Sequence, residues 1–259
     1  MKPQSRIGVW LPGVLSVASC VLLWAVATTY GFVGPARLPS PKDLWESFEQ
    51  LIDPGYAGGT LLQQVWFSTR LVLAGFAVAT LTGVPLGILM GMSRRAEAFI
   101  NPAFLVIRPI PPLAWIPLAI LWFGLGNGAK IFVIWFGAFV PALINTYTGV
   151  RSVDPGLIAA ARVHGAKPWH VLVDVVIPGA LPLIFTGLRL ALQASWTALV
   201  AAELVGAFFG LGRVLMTAAR DIYPGMILAA MICVAILGAG MTYLLGLAEA
   251  RATPWRQRQ

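Results

Sequence analysis

Five stretches of the chain run for 20 residues or more without a single Asp, Glu, Lys or Arg: 7–36, 71–93, 109–129, 131–150 and 222–248. At 1.5 Å per residue, each is long enough as a helix to cross a hydrocarbon core of roughly 30 Å. A sixth apolar run, 183–205, carries only Arg189 near its start and Glu203 near its end. The pattern predicts six membrane-spanning helices, over about 9–29, 71–92, 104–125, 130–150, 183–205 and 226–247. The third contains Pro109, Pro111, Pro112 and Pro117. Each proline removes an amide donor, so this span is expected to be broken, and broken backbone at membrane depth must be buried in protein or line a cavity.

The polar intervals carry their own patterns. In 42–53, KDLWESFEQLID, apolar Leu44, Phe48 and Leu51 recur at helical spacing among acidic positions, which predicts a short surface helix. Residues 204–223 read as a Gly-rich re-entrant or surface segment. The longest charged and broken interval is Arg151 to Pro182, between spans four and five. Asp154 is a good N-cap, Pro155 suits the first helical position, and Ala159-Ala160-Ala161 favours helix. Gly165 is a natural stop, and a second helix beginning at Pro168 is expected to end near Pro178. The interval therefore predicts helix, glycine elbow, helix.

Composition changes the solvent of the problem. The chain is 58% hydrophobic and 11% charged, with a mean hydropathy of +0.81. This is the composition of a protein dissolved mainly in lipid, and the 259 residues form one transmembrane domain, 1–259. The net charge of +8 is read as a membrane-orientation signal and not as a nucleic-acid footprint. With six spans, eleven of the 18 basic residues fall on the side of the termini, at 2, 6, 94, 95, 151, 162, 167, 189, 251, 256 and 258. The positive-inside bias puts both termini and the 151–182 loop in the cytoplasm. Cys20 and Cys233 fall inside spans and read as packing residues, and no metal site is expected from His164 and His170, which a glycine elbow separates.

The spacing in the loop carries a resemblance. Ala159-Ala160-Ala161, three residues, Gly165, nine residues, Val175, one residue, Ile177-Pro178 resembles the Glu-Ala-Ala loop of ABC-importer permeases. The segments RPIPPLAWIPLAILWFGLGNGAKI, GAFVPALINTYTGVRSVDP and WTALVAAELVGA extend it to the permeases of the nitrate, sulfonate, taurine and bicarbonate importer group, with taurine permeases the most similar.

The resemblance implies an all-α membrane protein with the type I ABC importer permease fold. It implies a homodimer, two cytoplasmic ATPase subunits that bind ATP and Mg, and a periplasmic substrate-binding protein, in a bacterial inner membrane. Such a chain is not an enzyme itself, and needs no cofactor. Its solute would be taurine or another small sulfonate, with nitrate, a pyrimidine precursor or an aromatic carboxylate as alternatives on the same framework. The implied ATPase-docking residues are Ala159, Ala160, Ala161 and Arg162, then His164, Gly165, Ala166 and Lys167. Ala159 stands where the family has Glu.

The residues themselves add three observations. None of the four lysines sits in a G-x-x-x-x-G-K-[ST] phosphate loop, so any ATP must bind another chain. A stand-alone secondary transporter would need an inverted repeat and paired intramembrane acids, and neither is visible. Four residues inside spans are candidates for the translocation path or gate: Arg108, Trp115, Trp196 and Glu203. Three roles stay open for Arg108, a contact for an anionic solute, a lining of the cytoplasmic gate and an anchor snorkelling to the inner headgroups, with the anchor preferred and the gate second. Trp115 and Trp196 are also readable as packing residues, and Glu203 as a structural hydrogen-bonding group.

Overall fold

The computed structural model describes residues 6–34 and 36–255, with side chains from Gly13 onward. Lys2, Pro35, Arg256, Arg258 and the side chains of Arg6 and Trp10 lie outside the described residues. The first helix, α1, is Arg6–Thr29. A short helix α2, Pro41–Ile52, follows, then the long α3, Leu61–Met92. Next come α4, Arg94–Ile107, a tight turn at Pro112–Trp115, and α5, Ile116–Phe123. The long α6 is Asn127–Arg151 and the loop helix α7 is Pro155–Val163. A continuous helix α8 spans Pro168–Gly206, and α9, Leu211–Arg220, leads to α10, Pro224–Ala252. Among the described residues the regular structure is helical, apart from one isolated bridge between Tyr56 and Gly59.

Four of these helices, α3, α6, α8 and α10, are each long and apolar enough to cross a membrane. α4 and the 112–123 segment make a fifth crossing bent by 84°. That this pair crosses, and does not turn back, follows from its neighbours. Glu97, near the start of α4, meets Tyr147 and Arg151 at the end of α6, with Arg151 3.0 Å from the carboxylate. Further on, Phe104 lies edge-on to Phe139 and Trp115 lies 4.7 Å from Phe136. The bent span therefore climbs antiparallel to α6 over most of its height. α1 is 24 residues long, and its described apolar part is Gly13–Thr29.

The core of the bundle is a seam of small residues. On α3 they recur every fourth position, as Gly75, Ala79, Gly83, Gly87 and Gly91. On the facing α6 the matching row is Ile134, Ala138, Ala142, Thr146 and Val150, the same four-residue period. A Cβ added at Gly75 would lie 2.4 Å from Ile134 Cγ2, at Gly87 2.7 Å from Thr146 Cβ, and at Gly91 2.5 Å from Val150 Cγ1. These contacts pair low numbers with low numbers, so α3 and α6 run parallel. The other side of α6 meets α8 as closely but antiparallel: a Cβ on Gly187 would lie 2.6 Å from Asn145 Cβ, and Gly149 lies against Ala180 and Leu183. In lipid, where apolar side chains gain nothing by leaving the solvent, such close backbone approach supplies the van der Waals contact that holds helices together.

Two sequence expectations are corrected. Span five does not begin afresh after a helix that stops at Pro178; α8 runs on through Pro178 and Pro182. The reason is a π-helical stretch at Val171–Val176, where Ile177 N–H donates to Leu172 O. That widened turn makes room for the ring of Pro178 where a regular α-helical turn would clash. Residues 204–223 are also more ordered than a re-entrant segment: α9 is an amphipathic helix with Leu211, Val214 and Ala218 buried. The 42–53 surface helix forms as α2, closed by a capping box in which Ser40 and Asp43 exchange hydrogen bonds of 2.8 and 3.2 Å. Those bonds from the Ser40 backbone and side chain hold the Asp43 carboxyl below its ordinary range.

The seam makes a test. Gly87→Val should lower thermal stability of the detergent-solubilised protein, by about 1–3 kcal/mol for overpacking at a close contact. Gly240→Ala, where nothing lies within 4 Å of an added Cβ, should leave the melting temperature unchanged.

Candidate functional site

Three regions carry the residues singled out in the sequence: the α6–α8 loop, the break in the bent span, and the two faces of α8.

The loop is built as a helix with a defined exit. Asp154 Oδ1 accepts from Gly156 N–H at 2.8 Å, which caps α7, and Pro155 occupies its first position. At the far end Gly165 has φ +82°, a left-handed conformation that costs an L side chain roughly 1–2 kcal/mol. Gly165 N–H donates to Arg162 O at 2.9 Å and Ala166 N–H to Ala161 O at 3.0 Å, the paired bonds of a Schellman ending. Ala161 and Ala166, the two residues this ending brings together, pack inward against a cluster around Val171 and Val176. Ala159, Ala160, Arg162, His164 and Lys167 are exposed, and His164 Nδ1 sits 2.8 Å from Ala160 O.

The loop also presents apolar surface that the sequence reading missed. Leu157 is 58% exposed, Val163 85% and Trp169 67%. The signal was present in the sequence as large apolar residues inside an otherwise polar interval. Large apolar groups standing out of a polar loop mark a surface for another protein.

The break in the bent span places Arg108. It caps α4, its N–H donating to Phe104 O at 2.9 Å, and its side chain is exposed. It stands eleven residues along from Glu97, roughly 16 Å of helix, and near the height of Phe139, the midpoint of α6. That puts it beside the middle of α6, a basic group where the first helix of the bent span ends. Trp115 follows at the turn, half-buried against Phe132 and Phe136.

On one face of α8, Trp196 is buried and its indole N–H has no partner among the described residues. It borders a groove of about 680 Å³ between α8 and α10, together with Gln193, Thr197, Thr242 and Tyr243. Arg189 opens onto the same groove and is bonded to Glu249 of α10.

Glu203, the fourth path candidate, is placed differently. It is 1% exposed, sealed between α3, α8 and α9, and within Coulombic range of Lys130. The Ser68 hydroxyl lies 2.9 and 3.1 Å from its two oxygens, and Gly212 N–H donates to Oε2 at 2.8 Å. Ser68 Oγ accepts from Leu211 N–H at 2.9 Å, and Gln64 Oε1 from Gly210 N–H at 2.6 Å. Three polar side chains thus satisfy the first amides of α9, which would otherwise be orphaned in the membrane. Gly210, at φ +118°, lets the carboxyl approach: an added Cβ would lie 2.1 Å from Oε1.

A long seam of small residues, a broken span with a basic residue at its break and a capped helix–glycine–helix loop are the distinctive parts of the chain. Comparison with known proteins gives its family. Residues 83–254 match the family of the binding-protein-dependent transport system inner membrane component. The chain belongs to this family. It is 38% identical to the taurine transport system permease protein TauC of Escherichia coli (strain K12), covering 98% of this chain and 92% of that protein. It is 36% identical to the putative aliphatic sulfonates transport permease protein SsuC of Bacillus subtilis (strain 168), over 98% and 91%. The bicarbonate transport system permease protein CmpB of Synechococcus elongatus (strain ATCC 33912 / PCC 7942 / FACHB-805) is 36% identical, over 91% and 86%. An inward-facing structure of the MetNI methionine ABC transporter superposes with a TM-score of 0.61 at 23% identity, over 75% of this chain and 94% of that one, a likeness of fold.

The chain is therefore the permease subunit of an ABC importer, a multi-pass inner-membrane protein of the type I fold. ATP hydrolysis belongs to a separate subunit, and a substrate-binding protein is the third kind of component.

The polar pocket of the permease gives a direct test. Glu203→Ala removes the acceptor for Gly212 N–H and Ser68 and should cost about 1–3 kcal/mol in unfolding free energy. Glu203→Gln keeps one acceptor oxygen and should recover part of that loss, read as melting temperature in detergent.

Proposed function

We propose that two copies of this permease form the membrane pathway of an importer for taurine or another short sulfonate. Two cytoplasmic ATPase subunits, which bind ATP and Mg, power it, and a periplasmic binding protein delivers the solute. The observation that carries the solute class is the 38% identity to a taurine permease along 98% of the chain, with an aliphatic-sulfonate permease beside it. A second reading, bicarbonate, is supported by the 36% identity to a bicarbonate permease. Both solutes carry a small oxyanion group, and the guanidinium of Arg108 at the break of the bent span suits either.

In this reading both termini and the α7 loop face the cytoplasm, in keeping with the excess of basic residues on that side. The exposed Leu157, Val163 and Trp169 seat the loop in the ATPase, with Arg162, His164 and Lys167 supplying polar contacts at the rim. Ala161, Gly165 and Ala166 set the angle at which that surface stands. When the ATPases close, the loops move together and α8, continuous with the loop through Pro168, carries the motion into the membrane. The groove beside Trp196 and the break at Arg108 then open alternately to the two sides. The missing Glu at Ala159 removes an anionic contact, so docking rests on apolar surface.

Reconstitution tests the solute. In proteoliposomes containing the permease and its ATPase, taurine-loaded binding protein should raise ATP hydrolysis several-fold and drive labelled taurine inward. Uptake of bicarbonate with taurine inert would replace the sulfonate reading with the second one.

A further inference from the structure

At the end of the bundle remote from α7, the starts of α3 and α6 and the segment after α8 enclose a cavity of about 570 Å³. That volume falls within the range of small-molecule sites. Its polar lining is Arg70 from α3, with Asn127 and Lys130 from the first turn of α6. Its apolar wall is Phe67, Phe208 and Phe209, of which Phe67 and Phe209 stack with centroids 4.9 Å apart.

The two basic groups are placed without partners. Among the described residues neither Arg70 nor Lys130 makes an ion pair, although Lys130 retains only 7% exposure. Each lies within Coulombic range of the other. The nearest acid, Glu203, also attracts Lys130, but it makes no ion pair with it and does not line the cavity, its oxygens accepting from Ser68 and from Gly212 N–H. Arg70 lies over the Phe67 ring at 4.2 Å, which fixes the guanidinium at the cavity wall. The N-terminus of α6 opens at the same place: its N-cap is Gly126, no side chain caps it, and both Gly126 and Asn127 line the cavity. Two basic side chains, an amide and the uncapped end of a 25-residue helix, converging where no carboxylate pairs with them, form a site for an anion.

We propose that Arg70, Lys130 and the first turn of α6 receive the oxyanion group of the solute at the mouth of the permease opposite the α7 loop. This rests on the reading of the chain as an importer of small oxyanions. The phenylalanine wall accommodates the short carbon chain of a sulfonate, while the basic pair holds its charged head. The site lies at the same end of the bundle as α2 and α9, and in the orientation proposed above it faces the binding protein. In that orientation a released anion reaches it before Arg108 at the break of the bent span.

The shared chemistry, a tetrahedral or planar oxyanion, could also come from a lipid phosphate, so the experiment separates the sources. The permease–ATPase complex is placed in nanodiscs of purely zwitterionic lipid, without binding protein, and labelled taurine binding is read by scintillation proximity. Wild type should bind, and Arg70→Gln/Lys130→Met should lose at least 10-fold in affinity. Arg70→Lys/Lys130→Arg, which keeps both charges, should recover binding and so exclude a folding defect. Arg37→Gln/Lys42→Gln, which removes equal charge from the same end of the protein, should bind as wild type. Taurine binding unchanged in the neutral pair would overturn the site. Phosphatidylglycerol retained by wild type and lost from the neutral pair, with no taurine bound by either, would assign the cavity to lipid and overturn the proposal. Bicarbonate or sulfate bound at this pair in place of taurine would keep the site and overturn the sulfonate reading instead.

Discussion

Everything in this protein hangs on how closely α3 and α6 approach each other. Over four turns, α3 presents residues without side chains or with a single methyl to Ile134, Ala138, Ala142, Thr146 and Val150 of α6, and a larger group on the α3 row would overlap them. Because lipid offers no hydrophobic penalty to drive helices together, the contact must be made by shape. Glycine and alanine at every fourth position supply it. α6 presents a second small face to α8, so it becomes the central element against which the other crossings are aligned. The broken span and α10 then pack on this three-helix plate, and their side chains have more freedom of placement.

Rigidity in the plate allows irregularity elsewhere. The backbone break at Arg108–Pro111, the π-helical turn before Pro178 and the left-handed Gly165 are all departures from regular helix, and each lies where the plate ends or where a groove opens. The polar trio of Gln64, Ser68 and Glu203 does for α9 what water would do in a soluble protein: it satisfies the amides at the start of a helix that sits within the membrane-facing bundle. A carboxyl in a span is a natural functional candidate, and here its oxygens accept from Ser68 and Gly212 N–H at the start of α9. Among the described residues Arg108, Trp196 and the pair Arg70 and Lys130 have no such polar partners, and the proposed solute path is built on them.

Much of this was legible in the residues. Charge-free runs located the crossings because lipid tolerates little else, and the proline set at 109–117 announced the broken span. Asp154, Pro155 and Gly165 fixed the ends of the loop helix through capping chemistry that is local in sequence. What was not legible depended on distant neighbours. Proline argues against helix unless the preceding turn is widened, and nothing in the sequence 171–176 announces that it will be. The depth of Arg108 follows from the pairing of Phe104 with Phe139, and the role of Glu203 from Ser68, 135 residues away. The exposed Val163 and Trp169 stood in the sequence as large apolar residues in a polar interval, and only the direction they face needed the fold.

The central claim is that the α7 loop is the element through which an ATPase drives this permease. Its most direct measurement is cross-linking from Val163→Cys, in a protein with Cys20 and Cys233 replaced by alanine, within the intact complex. A short cysteine-reactive linker should join this position to the ATPase, with a yield that changes between the nucleotide-free and ATP-bound states. An active complex in which Val163→Cys never reaches the ATPase, whatever the nucleotide, would contradict it.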